Sequence, residues 1–261
     1  MNLSLDGKTA VVCGSTQGIG LAIAEELALL GANCILLARN EQALQDALTK
    51  LDTGNRQLHT YAMADFNNPD QVKATIENIV ETNTVHILIN NTGGPPAGPI
   101  AEAVPEQFLI AFNQHLICNH ILAMAVVPGM KEAGYGRIIN IISTSVKIPL
   151  SNLGVSNTIR GAVASWSKTM ANELGRYNIT VNNLLPGSIR TQRLANIITA
   201  NAAKKNASED AVEKQMQEEI PMKRFGEASE MANVAAFLAS PAASYVNGVS
   251  IPVDGGRTGS I

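Results

Sequence analysis

The chain has 261 residues, of which 46% are hydrophobic, 16% charged and 4% aromatic, and its net charge is −3. So high an apolar share with so few charges excludes a disordered chain, and the length suits one large domain. No run of like charge exceeds a few residues and aromatic side chains are sparse, which argues against a nucleic-acid or anionic-membrane surface.

The first predicted strand, Thr9–Cys13, runs directly into Gly14-Ser15-Thr16-Gln17-Gly18-Ile19-Gly20, which opens a helix over Ile19–Leu30. Glycines at such a turn let backbone approach a diphosphate, and the helix start offers free N–H groups and partial positive charge. A second strand, Ala32–Ala38, ends at Arg39-Asn40 with no carboxylate to accept hydrogen bonds from an adenosine ribose. Arg39 instead offers a charged fork to a 2′-phosphate, so NADP(H) is expected over NAD(H), with NAD(H) possible.

A helix over Glu41–Leu51, a strand at Leu58–Met63, a helix over Asp70–Glu81 and a strand at His86–Asn90 follow. Thr92-Gly93-Gly94-Pro95-Pro96-Ala97-Gly98-Pro99 then predicts a stiff, bent loop. The next helix, Pro105–Lys131, is uncharged from Gln107 to Met130. It holds Asn113, Gln114, His115, Asn119, His120 and Pro128, and so reads as a buried or interface helix, with no membrane span.

A strand at Arg137–Ile142, a helix over Ser156–Tyr177 and a strand at Ile179–Leu185 come next. Polar Thr191–Glu219 lies where an α/β sheet places its ligand, and reads as a helical substrate lid. A helix over Ser229–Leu238 and a strand at Val249–Val253 close the chain. Apolar strands alternating with helices predict a single-domain Rossmann fold over residues 1–261. Its doubly wound, seven-stranded parallel sheet would carry helices on both faces.

Cys13, Cys34 and Cys118 sit in apolar runs with no CxxC spacing, which predicts reduced thiols and no metal site. With no signal-type segment in Met1–Lys8, a cytoplasmic location is expected.

With these residues placed, the chain resembles the short-chain dehydrogenase/reductases, in particular 3-oxoacyl-(acyl-carrier-protein) reductase-like members. The likeness spans nearly the whole chain. It rests on Gly14–Gly20, Asp65-Phe66, Asn90-Asn91-Thr92-Gly93, Gly136-Arg137-Ile138-Ile139-Asn140-Ile141-Ile142-Ser143, Pro186-Gly187-Ser188-Ile189-Arg190-Thr191 and Pro252-Val253-Asp254-Gly255-Gly256. The resemblance implies that Asp65 and Phe66 border an adenine and that Asn91, Thr92 and Gly93 pass under the adenosine. Pro186, Gly187, Ile189 and Thr191 would hold the nicotinamide amide and diphosphate. The helices matching Pro105–Lys131 and Ser156–Tyr177 would build a homodimer or homotetramer.

The family's chemistry uses a serine, a tyrosine and a lysine, the last two four residues apart. Ser143 is in place, but Ser156 stands at the tyrosine position and Arg160 at the lysine position. The four tyrosines, Tyr61, Tyr135, Tyr177 and Tyr245, are followed four residues later by Asp65, Ile139, Val181 and Val249, so no YxxxK exists. His115 falls at the position of the family's asparagine, with Asn113 and Asn119 nearby.

A serine hydroxyl is a far weaker acid than a phenol, and arginine cannot relay a proton. Ser143 and Arg160 can still polarise a substrate oxygen, and Arg160 can donate hydrogen bonds to the nicotinamide ribose. His115, on a helical stripe with Phe108, Phe112, Asn119 and Leu122, is one candidate proton donor, with Ser156, an ordered water and Lys147 as others. His59, His86 and His120 read as packing or surface groups. The sequence therefore predicts an NADP(H)-dependent oxidoreductase acting on a small carbonyl or secondary alcohol, with 3-oxoacyl thioesters among the candidates. The alternative is a catalytically weak or inactive NADP(H)-binding sensor or assembly protein.

Overall fold

The computed structural model describes residues 1–260. Its strands are β1 Thr9–Cys13, β2 Asn33–Ala38, β3 Thr60–Met63, β4 Ile87–Asn90, β5 Gly136–Ile141, β6 Ile179–Pro186 and β7 Ser250–Val253. They form one parallel sheet in the order β3-β2-β1-β4-β5-β6-β7. All seven predicted strands are present, with ends shifted by a residue or two.

The helices are α1 Gly18–Leu29, α2 Glu41–Leu48, α3 Pro69–Thr82, α4 Pro105–Phe112, α5 Cys118–Glu132, α6 Gly154–Leu174, α7 Gln192–Lys205, α8 Glu209–Glu218 and α9 Ala228–Ala239. Alternate side chains of β1 point to opposite layers, as pleating requires. Ala10 and Val12 pack with Ile23 and Leu27 of α1 and Ala235 of α9, whereas Val11 and Cys13 pack with Ile76 of α3 and Leu122 of α5. Both faces are thus apolar, which is why these strands read as unbroken apolar runs.

The chain reverses its winding between β1 and β4, so the loops leaving these two strands part there and open a crevice. A polar ladder crosses β4 to β7, from Asn90 at the carboxyl end of β4 to Ser250 at the amino end of β7. Asn90 Nδ2 donates to Asn140 Oδ1 at 2.8 Å, Asn140 Nδ2 to Asn183 Oδ1 at 3.1 Å, and Asn183 Nδ2 to Ser250 Oγ at 3.0 Å. These bonds tie neighbouring strands in register beneath the crevice, while the Asn90 Oδ1 at the end of the ladder is buried without a partner.

The single helix expected over Pro105–Lys131 is interrupted. Asn113–Ile117 forms one π turn between α4 and α5. An extra residue in that turn rotates everything before it relative to everything after it, so the expected stripe does not hold. Phe112 is 38% exposed, whereas His115, Asn119 and Leu122 are buried. The apolar α5 is a core helix, with Leu122, Ala123, Val126 and Met130 packed under the sheet. The segment expected as a lid is the hairpin α7–α8 with a small core of its own, made by Leu194, Ile198, Ala202, Val212, Ile220 and Phe225.

Candidate active site

The loop after β1 is shaped by its glycines. Gly14 and Gly18 take left-handed φ values of +57° and +56°. A Cβ on Gly14 would stand 2.5 Å from the Asn91 carbonyl oxygen, and one on Gly20 would overlap the Gly14 carbonyl oxygen. Asn91 holds the loop from the β4 side, its Nδ2 donating to the carbonyls of Cys13 at 3.3 Å and Gly14 at 3.2 Å.

The helix that follows has an open start: Gln17 makes no side-chain cap, and the first turn carries no acidic residue. Its amide donors and dipole are free for an anion. The hydroxyl of Ser15 is fully buried and has no partner. Thr191 closes the other side, its methyl lying 3.1 Å from where a Gly18 Cβ would be. Gly187 packs on Asp254 and donates its N–H to the Val253 carbonyl at 3.0 Å, which brings Pro186, Ile189 and Thr191 beside the glycine loop. This cradle fits a dinucleotide diphosphate. Gly93, by contrast, has open space where a Cβ would go.

At the far end Arg39 is exposed, and Asn40 caps α2, accepting from the Ala43 N–H at 3.0 Å. The Asp65 carboxyl is held below its usual range, chiefly by the Asn67 N–H and with a contribution from Arg39. Half-buried Phe66 follows.

Ser143 follows the carboxyl end of β5, and Arg160 of α6 reaches the last residue of that strand. Half-buried Ser143 caps a short turn, its Oγ accepting from the Ser145 N–H at 3.1 Å. Ser156 and Arg160 lie one turn apart on α6, each 7% exposed. Arg160 Nη1 donates to the Ile141 carbonyl at 3.2 Å. The Pro/Gly-rich loop is tied to the start of α6, for Gly98 N–H donates to the Asn152 carbonyl at 2.8 Å and Gly154 N–H to the Gly98 carbonyl at 3.2 Å.

The π turn aims His115 inward. Its Nδ1 lies 2.6 Å from the Thr92 hydroxyl, and its Nε2 is buried without a partner. Burial, then repulsion from Arg160 and Arg193, push its pKa down to about 3. This corrects the expectation of a near-neutral proton donor, because the imidazole is uncharged at any working pH. Lys147, the other candidate, is exposed on its loop. His59, His86 and His120 are structural, bonded to the Cys34 N–H, the Thr9 N–H and the Trp166 indole N–H.

His115 links stability to pH. Below pH about 6.5 the unfolded chain takes up a proton here that the folded protein refuses until about pH 3, so stability is full above 6.5 and falls through that window. Between pH 7 and pH 5 the loss expected from this group is about 2 kcal/mol. Urea unfolding of the protein and of His115→Asn at both pH values measures it. An equal pH loss in the two proteins would refute the assignment.

Two site features escaped sequence reasoning. Arg193, in the first turn of α7, lays its guanidinium against Gly94 across the crevice. Thr92 serves the His115 ring. A basic residue two positions after Thr191 was the available signal for the first, but its target is 99 residues away in the chain. A concavity of about 460 Å³ beside Asp6, Gly31 and Arg56 lies at the amino ends of the strands, away from all these groups.

The family profile described as Enoyl-(Acyl carrier protein) reductase matches residues 14–258. The NADPH-dependent reductase BacG of Bacillus subtilis is 33% identical over 257 residues, covering 97% of this chain and 99% of that protein. The crystal structure of L-sorbose reductase from Gluconobacter frateurii with NADPH and L-sorbose superposes with a TM-score of 0.93 at 32% identity, over 100% of both chains. A gluconate 5-dehydrogenase from Burkholderia cenocepacia in complex with NADP and tartrate has a TM-score of 0.87 at 30% identity, over 100% of this chain and 98% of its own.

Proposed function

This chain belongs to the short-chain dehydrogenase/reductase family, and on that footing we propose that it is an NADP(H)-dependent oxidoreductase of small carbonyls or secondary alcohols in which no tyrosine–lysine pair delivers the proton. The observation that carries the reading is the glycine cradle at the open start of α1, pinned by Asn91, with Arg160 reaching the carboxyl end of β5 just before Ser143. NADPH or NADP named with similar reductases supports the cofactor choice, as does the absence of a carboxylate at Arg39-Asn40.

When bound, the nicotinamide exchanges a hydride with the carbon of the substrate C–O group. The protein's part is to bind and to stabilise charge. The α1 amides, Ser15 and Thr191 would hold the diphosphate, Arg39 the 2′-phosphate, and Asp65 and Phe66 the adenine side. Ser143 would donate a hydrogen bond to the substrate oxygen, and Arg160 would hold the negative charge that grows on it. With His115 neutral, the proton would come from Ser156 or a water bonded to it. Helices α7 and α8 would close over the site as a lid. The 3-oxoacyl thioesters implied by the resemblance form one group in a carbonyl panel.

We further infer a homodimer or homotetramer through the outer face of α4 and α5, where Leu109, Ile110, Phe112 and Met124 are exposed. Free, buried Cys13, Cys34 and Cys118 suit a reducing cytoplasm.

Calorimetry with NADPH and NADH tests the cofactor, with NADPH expected to bind more tightly. Arg39→Ala should weaken NADPH about 10-fold and leave NADH unchanged, the loss of one charge-assisted fork. Equal loss for both nucleotides would place Arg39 outside the phosphate site.

A further inference from the structure

Beside His115 stand two guanidinium groups that no carboxylate among the described residues pairs, one buried, that of Arg160, and one exposed to solvent, that of Arg193. Arg160 reaches in from α6 and Arg193 from α7, and both act on the His115 ring. Arg160 is 7% exposed, yet the acceptor it finds is a backbone carbonyl, that of Ile141. Neither arginine enters an ion pair among the described residues; their neighbours Arg190, Arg224 and Arg257 all do. The guanidinium of Arg193 rests where Gly94 has no side chain, with Nη1 and Nη2 2.5 and 2.6 Å from the position a Cβ would take. The Nε2 of fully buried His115 is unpartnered as well.

Burying an unpaired cation is costly, and a second cation of like sign facing it adds to the cost. A bound anion removes both penalties. The cofactor diphosphate has its own cradle at Gly14–Gly20, whereas Arg193 lies over Gly94, next to the Thr92–His115 pair and the substrate side of the crevice. Accepting the oxidoreductase reading above, we propose that the substrate carries a carboxylate: it is a short oxo acid or hydroxy acid, its carboxylate forked by Arg193 and its reacting oxygen held by Arg160 and Ser143. Planar guanidinium groups suit this task because two parallel N–H donors match the two oxygens of a carboxylate.

The test uses L-tartrate and oxamate as carboxylate probes and L-tartramide as the uncharged counterpart of tartrate, titrated calorimetrically into protein already saturated with NADP⁺. At least one carboxylate is expected to saturate at about 1 mM or below, with tartramide at least about 10-fold weaker. Arg193→Gln should erase that preference and leave NADP⁺ affinity within about 3-fold of the parent. Three results would overturn the proposal: tartramide binding as well as tartrate, neither carboxylate saturating protein that holds NADP⁺, or Arg193→Gln losing NADP⁺ instead of the anion. Should the unaltered protein fail to bind NADP⁺, the oxidoreductase reading falls and this proposal falls with it.

Discussion

Gly20→Ala is expected to weaken NADPH binding about 100-fold or more, because its one added carbon has nowhere to go. The Cβ would overlap the Gly14 carbonyl oxygen and stand 2.6 Å from Asn91 Nδ2. Both neighbours are fixed, since Asn91 is the clamp on the Cys13 and Gly14 carbonyls. The loop must therefore move away from α1, and the amides that would converge on the diphosphate lose their common focus. A hydrogen bond to a charged group is worth about 1.5–3 kcal/mol, so misaligning two of them costs a factor of about 100 or more. Calorimetry with NADPH reads the loss, and circular dichroism checks that the variant is folded. A folded Gly20→Ala protein that holds NADPH within about 3-fold of the parent would show that the loop is only a tight turn.

The same loop shows why part of this protein could be read from its sequence. Gly14, Gly18 and Gly20 act through local backbone geometry, and local geometry leaves a mark at fixed spacing. The strands were legible for a related reason: burial on both faces makes Val11 and Val12 equally apolar although they serve opposite layers. The π turn at Asn113–Ile117 left no such mark. A one-residue insertion in a helix changes no composition, and here it showed only as exposed Phe112 against buried His115.

His115 illustrates the further limit. Its position is legible from the spacing to Gly136-Arg137, but its protonation state depends first on burial and then on Arg160 and Arg193, which come from two other helices. Arg193 in turn finds its place only because Gly94 leaves room for it. Charge environment is set by distances that no local pattern encodes.

Arg160 is where that environment bears most directly on rate. Arg160→Ala removes the buried donor to the Ile141 carbonyl and the cation proposed to stand beside the reacting oxygen. Loss of one such donor costs about 10²–10³-fold in kcat, and this is the effect expected, with NADPH affinity changing by less than about 10-fold. The pH dependence separates this role from simple packing. In the unaltered protein no proposed catalytic group titrates near neutrality. Burial and then Arg193 lower the Arg160 pKa to about 10, and His115 titrates near 3, so kcat is expected to be level between about pH 5 and pH 9. Arg160→Lys should recover part of the rate but add an alkaline limb, because the same burial and repulsion act on an ammonium that can lose its proton. Rate constants for Arg160→Ala and Arg160→Lys across that pH range decide the matter. Full activity in Arg160→Ala, or a kcat of the unaltered protein that turns over near pH 7, would mean that another group carries the charge and the proton.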